Sequence, residues 1–493
     1  MEEEKIRIPL KKVPLESERK EIRQRKRIKL LIVLLCLCLF VLGIASGFGI
    51  SKLISNPYIQ SFSNDKLSAI ESYLNTYWLY KNDYDDLKTT LEDKAYDGML
   101  NFEDDPYTTY MSSEEYTDFT SSIDKNYVGI GVIVADNSGS GNISVSHVFK
   151  NSPAEKSEML PGDLIVKVDG VDVLSTSIDY IKSLIIGEEG TNVVVTVFRN
   201  GEYIDLTIQR QAINSTVYAK IIEDQLVLNI MSFGTNTAKE IMAYLVEYPE
   251  YDRLIIDLRN NTGGYETSVR EVAGLFLGKD KTILNEIFAD GSTKVLKSIC
   301  DKYYDFEKIV LLTNEQTASA AEVLTIALKE LHPNCIQVGT TTFGKGVVQS
   351  SFMLSDGSVI KITTSYWTSP NGNSFNGTGI VPDEETFLDE ALTNRMYTLK
   401  EDETLELDSV SALVRSVQLC LKYLDYNVER CDGYFDKSLE KALATFQKDL
   451  DLEVNGILDS KTVDSIYNKV IYTFNSIPTK DDQLKKALEV IGE

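Results

Sequence analysis

Ser319 and Lys345 are the residues of this chain whose types and spacing best fit covalent chemistry. Thr317-Ala318-Ser319-Ala320-Ala321-Glu322 opens an amphipathic helix, and after a turn and a strand comes Phe343-Gly344-Lys345-Gly346-Val347-Val348-Gln349. A serine at a helix start and a lysine on a glycine-flanked extended segment are what a Ser/Lys hydrolase needs: a hydroxyl nucleophile and an amine base. To serve as base, the lysine must lose its proton near neutral pH. Its pKa must then fall from ~10.4 toward ~7 to 8, which burial achieves at roughly 4 kcal/mol. A fully solvated Lys345 would argue against catalysis.

Blander explanations cover each residue separately. Ser319 with Glu322 forms a capping box, and apolar residues at 320, 323, 324, 327, 328 and 331 give the stripe of a packed helix. Lys345 alone reads as a surface lysine in a hairpin. A capping role, however, predicts nothing about Lys345. The two histidines, His147 and His332, narrow the choice further. His332 lies across the helix from Ser319, roughly 20 Å away at ~1.5 Å per residue, and cannot be its base. Histidine scarcity and the lack of any CxxC motif disfavour zinc and thioredoxin-like chemistry, so no metal and no cofactor is expected. Cys420 and Cys431 are close enough to pair in an oxidising compartment, or to remain buried thiols.

The elements that must position these residues are strands and glycine turns. Leu254 to Leu258 reads as a buried strand running into Arg259-Asn260-Asn261-Thr262-Gly263-Gly264, and a helix is predicted from Ser268 to Leu277. The paired glycines let backbone approach a ligand closely. Ile309 to Leu312 is a further strand just ahead of Ser319.

Upstream, short strands are predicted at Ile130–Ala135, Ile143–Val148, Leu164–Val168, Val193–Arg199 and Tyr203–Gln209, with a helix at Ser177–Ile185. With Gly129-Ile130-Gly131 opening a strand and Leu160-Pro161-Gly162-Asp163 turning into another, this region resembles a PDZ domain. Backbone N–H groups at Gly129, Ile130, Gly131 and Val132 would hold a peptide's terminal carboxylate, with the peptide added as an edge strand. Residues 66 to about 118 read as helices rich in Tyr and Asp that serve packing and oligomerisation, a homodimer included.

The 493 residues carry 50 basic and 75 acidic side chains, a net charge of -25. Beyond Lys52 the balance is about -31, with no basic stripe, which argues against nucleic-acid binding. Leu30 to Ser51 holds no charge and spans roughly 33 Å as a helix, following a cluster from Arg19 to Lys29. The expectation is a single transmembrane helix with a cytoplasmic N-terminus and an extracytoplasmic body. A cleaved signal peptide fits less well, because the apolar run is too long and Ala45-Ser46-Gly47 is a poor cleavage site.

Taken in order, Asp257-Leu258-Arg259-Asn260-Asn261-x-Gly263-Gly264, Ala318-Ser319-Ala320-Ala321-Glu322 and Thr342 to Gln349 resemble the carboxyl-terminal processing, or tail-specific, proteases. Gly98-Met99-Leu100, Asp105-Pro106-Tyr107, Ser355-Asp356-Gly357-Ser358 and Gly377-x-Gly379-Ile380-x-Pro382-Asp383 support the resemblance, which spans roughly 66 to 390. It implies a serine endopeptidase core of the crotonase/Clp-like superfamily. Ser319 would be nucleophile, Lys345 general base and Gln349 the group orienting it. Ala320 with Gly263 or Gly264 would supply the oxyanion hole. Three departures stand out: the Ser319 to Lys345 interval is one residue longer than usual, Thr262 replaces a common proline, and Ile186 precedes Gly187-Glu188-Glu189-Gly190-Thr191 where many relatives have an arginine involved in activation.

After an acidic linker, Val414 to Asp459 resembles a small helical peptidoglycan-binding module, with a packing or dimerising helical domain as the alternative. The resulting fold class is multidomain α+β: a basic tail (1–29), transmembrane helix (30–51), helical segment (52–123), β-rich PDZ domain (124–212), α/β Ser/Lys protease core (213–398), linker (399–408), all-α module (409–475) and tail (476–493). The partners expected are protein or peptide substrates with free C-termini, the cell membrane and peptidoglycan. The functional alternative is a catalytically silent PDZ scaffold binding protein C-termini at the cell wall.

Overall fold

Near-continuous apolar strands such as Leu254-Ile255-Ile256 and Ile309-Val310-Leu311-Leu312 demand cover on both faces, and they receive it at the centre of a parallel sheet. The structure is a computed structural model that describes residues 64–493 except 137–142, 175, 200–201, 396, 398 and 401. The predicted basic tail 1–29 and transmembrane span 30–51 lie outside the described residues. Among the described residues no helix is long and apolar enough to cross a membrane. The chain divides into two compact units, 1–95 and 96–493. The described part of the first holds the helix Asn64–Tyr77, a short turn of helix Lys81–Asp83 with Trp78 stacked on Tyr84, and the start of the helix Leu87–Leu100.

In the second unit the main sheet runs in the order Val217–Ile222, Gln225–Ile230, Arg253–Asp257, Lys308–Thr313, Cys335–Gly339, Glu384–Glu385. The first pair is antiparallel and the rest are parallel. Leu254, Ile256, Ile309 and Leu311 face the helices Thr237–Glu247, Glu266–Leu277 and Ala320–Leu331. Val227, Ile255, Val310, Leu312 and Val338 face the other way, onto Leu484, Ala487, Val490 and Ile491. Residues 476–493, set apart above as a tail, therefore contain a helix, Asp482–Gly492, that roofs the second face of the protease sheet. A second sheet, antiparallel, sets Val347–Met353 and Thr109–Met111 on either side of Val359–Thr368, which also pairs with Thr282–Phe288.

The β-rich domain forms a sheet in the order Val132–Asp136, Ile143–Val148, Leu164–Val168, Asn192–Arg199, Glu202–Gln209, close to the predicted strands. Alternation is plain in Asn192–Arg199, where Val193, Val195 and Val197 are buried in the core with Ile165 and Ile208. The Leu160-Pro161-Gly162-Asp163 turn is held by Asp163, which is buried, accepts from the Leu160 N–H at 2.8 Å and binds the Arg199 guanidinium through both oxygens.

The C-terminal module packs the helices Ala412–Tyr423, Lys437–Asp449 and Ser460–Ser476 around Phe435, Leu443, Phe446 and Ile466. Ser411, Asp436 and Asp459 cap their N-termini. Two buried glutamines do matching work there. The Gln418 carbonyl accepts the Gly433 N–H, the Gln447 carbonyl accepts the Gly456 N–H, and each side-chain amide donates to a nearby backbone carbonyl. Cys420 and Cys431 are free thiols.

Candidate active site

Two loops leave the carboxyl ends of adjacent parallel strands and meet. One follows Asp257 and carries Gly263 and Gly264; the other follows Thr313 and carries Ser319. Open parallel sheets place ligands at such strand ends. Thr317 ties the loops together by donating its hydroxyl to the Leu258 carbonyl at 2.9 Å, and the Ala318 N–H donates to the Asn261 carbonyl at 2.9 Å. Ser319 itself has φ 56° and ψ -121°, a conformation costly for a side chain with a Cβ, at roughly 1–3 kcal/mol. It stands immediately before the helix Ala320–Leu331, as the capping-box spacing predicts.

Glu322 does far more than cap. Its carboxylate is fully buried and accepts four hydrogen bonds. The Thr342 hydroxyl (2.6 Å) and Gly344 N–H (2.7 Å) reach Oε1; the Ser319 N–H (2.9 Å) and Lys345 N–H (2.8 Å) reach Oε2. Burial pushes its pKa up, against the opposing pull of these donors. Gly344 has φ 90°, and a Cβ there would lie 2.8 Å from the Gly379 nitrogen, so the segment that brings Lys345 back needs glycine.

Lys345 is half-buried, with Nζ 4.6 Å from the centre of the Tyr107 ring. Among the described residues no carboxylate is within ion-pair reach of Nζ, and no hydrogen bond joins it to Ser319 Oγ. Burial, and then repulsion from Lys361, lower its pKa to about 8 against the pull of Glu322. Lys361 sits in a comparable position, with its ammonium 4.7 Å from the Phe119 ring and its own pKa lowered by burial.

Gln349 is on the strand Val347–Met353. Its amide donates to Thr363 Oγ1 at 3.4 Å, and Thr363 donates to Asp105 at 2.9 Å. An extra residue in the partner strand, at Thr364, sets Thr363 opposite Gln349. No hydrogen bond joins Gln349 to Lys345. Asp105 also binds the Thr108 hydroxyl at 2.5 Å, so the Asp105-Pro106-Tyr107 turn that carries Tyr107 is fastened to the strand beside Gln349.

Gly263 has φ 108°, and a Cβ on it would lie 2.7 Å from Ser319 Cβ and 3.0 Å from the Ala320 nitrogen. The Gly263 N–H donates to Asn261 Oδ1 at 2.8 Å. The Ala320 and Gly264 N–H groups make no hydrogen bond among the described residues. The predicted Ser319, Lys345, Ala320, Gly263 and Gly264 thus gather in one place, with Gln349 linked to Asp105 through Thr363. The roles of Tyr107, Glu322, Asn261 and Lys361 were not foreseen. Asp105-Pro106-Tyr107 was visible as a motif, and Glu322 carried a signal for only one of its four bonds.

About the β-rich domain, a groove of about 390 Å³ runs between the strand starting at Val132 and the helix Ile178–Ile185. Gly129, Ile130, Gly131 and Val132 line it, and the Ile130 and Gly131 N–H groups make no hydrogen bond among the described residues. Ile186 lies exposed on its wall. A second depression, about 960 Å³, lies on the C-terminal module beside Tyr426, Tyr434, Asp436 and Lys441.

Comparison with known proteins adds the family. Residues 224–386 match the peptidase family S41 model, 144–199 a PDZ domain and 410–466 a peptidoglycan binding domain. The carboxy-terminal processing protease CtpA of Bacillus subtilis (strain 168) is 32% identical over 432 residues, 87% of this chain and 90% of its own length. The chain belongs to peptidase family S41. A Staphylococcus haemolyticus (strain JCSC1435) relative named as CtpA-like serine protease is 31% identical over 90% of this chain and 89% of its own. Among solved structures, the photosystem II D1 C-terminal processing protease aligns at 23% identity over 66% of this chain and 92% of its own, with a TM-score of 0.37. This S41 peptidase is a carboxy-terminal processing protease with a PDZ domain and a helical peptidoglycan binding domain.

Proposed function

We propose that this S41 peptidase cleaves proteins captured by their C-termini through a Ser/Lys acyl-enzyme, and that it is anchored to the cell membrane by residues 30–51 with its catalytic body outside the cytoplasm. The observation that carries the mechanism is Lys345: half-buried, without a carboxylate partner among the described residues, and on a backbone tied to the same carboxylate as Ser319. Neutral Lys345 takes the proton of Ser319 Oγ as that oxygen attacks the scissile carbonyl carbon. The Ala320 and Gly264 N–H groups hold the resulting oxyanion, the former at a positive helix end. Gly263 is excluded as donor because Asn261 occupies its N–H. Lys345 then gives its proton to the departing amine, and water, deprotonated by the same lysine, hydrolyses the ester. For this, Nζ must exchange the Tyr107 face for Ser319 Oγ when substrate binds, with Gln349 orienting it.

The free Ile130 and Gly131 N–H groups support capture of a terminal carboxylate in the PDZ groove. The C-terminal domain would hold peptidoglycan. The test uses the full-length protein on a loosely folded substrate with a free C-terminus, beside Ser319→Ala and Lys345→Ala. Equal turnover by all three would end the Ser/Lys reading. A wild type that binds C-terminal peptides without cleaving would favour the silent scaffold. A substrate with an amidated C-terminus should be cleaved more slowly.

A further inference from the structure

The loop that presents Gly263 and Gly264 is steered by Arg259, and Arg259 is shared between two buried carboxylates. Its Nε and NH2 reach Asp257 at 3.0 and 2.7 Å. Its NH1 lies 2.9 and 2.8 Å from the two oxygens of Asp481 and 3.3 Å from Gln483 Oε1. Asp481 is 3% exposed and caps the helix Asp482–Gly492, accepting from the Leu484 N–H at 3.0 Å. Gln483 donates onward to the Thr386 carbonyl at 2.9 Å. A planar guanidinium satisfied on two edges is a fixed geometry that lysine does not reproduce.

From Arg259 the connection continues through its neighbours into the serine loop. The Asn260 N–H donates to Asn314 Oδ1 at 2.9 Å, and Asn314 Nδ2 donates back to Asn260 Oδ1 at 2.8 Å. The Asn261 carbonyl accepts the Ala318 N–H, and its side chain accepts the Gly263 N–H. These bonds set the distance between Gly264 and Ser319.

We propose that Asp481 is a positioning residue for proteolysis: by clamping Arg259 it fixes the strand end from which Asn261, Gly263 and Gly264 are presented to Ser319. The segment after the peptidoglycan binding domain is therefore part of the support of the active site. The inference rests on the Ser/Lys reading above. Helix capping alone does not require a carboxylate at 481, since asparagine caps as well. Burying one is costly, and what only a carboxylate supplies is the two-oxygen grip on Arg259.

The test compares full-length wild type with Asp481→Asn, which keeps the cap, Arg259→Lys, and Leu484→Ala, which weakens the helix packing without touching Arg259. The readouts are kcat, KM, thermal unfolding and the rate at which a fluorophosphonate labels Ser319. Asp481→Asn and Arg259→Lys are expected to lose roughly tenfold to hundredfold in kcat and labelling rate while still folded, with KM changed by less than about twofold. The double variant should be no worse than the poorer single one. Leu484→Ala should unfold at lower temperature with kcat kept. Wild-type kcat in folded Asp481→Asn overturns the proposal, as does a loss in Leu484→Ala of equal size. Should Asp481→Asn fail to fold, Gln483→Met replaces it, with a few-fold loss of kcat expected and wild-type kcat overturning the idea. Ser319→Ala separates the two levels: turnover by that variant removes the Ser/Lys reading itself.

Discussion

Ser319 and Lys345 hang their backbone N–H groups on a single oxygen, Oε2 of Glu322, at 2.9 and 2.8 Å. The proposed nucleophile and base are thus registered against each other through one buried side chain, before any contact between their own functional atoms. Glu322→Gln keeps the shape but replaces one acceptor oxygen with a donor facing N–H groups. It should lower kcat by about a hundredfold or more, while a C-terminal peptide binds the PDZ domain as before. Stopped assays of cleavage, beside peptide titration by fluorescence anisotropy, check this.

The pH profile follows from Lys345. Its pKa is held near 8 by burial and by Lys361, and on the proposed mechanism only the neutral amine accepts the Ser319 proton. Activity should rise as pH rises through about 8 and level off above. Removing the repulsion in Lys361→Met raises the Lys345 pKa, so the inflection should move to higher pH by about half a unit or more. An inflection unmoved by that change would separate Lys361 from the base.

Stability should rise with pH over the range above this inflection. The folded-state pKa of Lys345 lies below the 10.5 of the unfolded chain, so the burial penalty is fully present below about pH 8 and relieved as pH rises toward 10.5. Lys345→Met should be inactive yet more stable at neutral pH, by about 1–3 kcal/mol after its lost contact with Tyr107 is allowed for. The gain should shrink above pH 8, which denaturant titrations at pH 7 and pH 9.5 would reveal.

Much of this arrangement was legible in the residues. The strands of the PDZ domain, the capping-box start at Ser319 and the glycine turn after Asp257 all follow from local spacing, and local spacing is what sequence displays. What escaped depended on distant partners. Glu322 satisfies the capping pattern with one bond, so nothing signalled the three others to Ser319's far neighbours Thr342, Gly344 and Lys345. Tyr107 meets Lys345 across more than two hundred residues of chain. Leu484, Ala487, Val490 and Ile491 do show a helical stripe, but a stripe does not say which surface it covers.

Gly263→Ala should abolish proteolysis. The added methyl would sit 2.7 Å from Ser319 Cβ at a backbone angle side chains avoid, so either Ser319 or the loop must shift. A loss of kcat of about a hundredfold or more is expected, with the PDZ groove unaffected. Retained Ser319 labelling by a fluorophosphonate at the wild-type rate would contradict it.

The roof of the protease sheet has a consequence for biosynthesis. Asp481 and the helix that follows it come after the peptidoglycan binding domain in chain order, so a nascent chain emerging from the ribosome cannot close its proteolytic core until that domain has been translated. A chain terminated early would leave Ile255, Val310, Leu312 and Val338 bare, a surface that quality-control proteases read as unfolded. Translation order thus makes closure of the protease sheet wait on synthesis of the peptidoglycan binding domain that precedes its last helix.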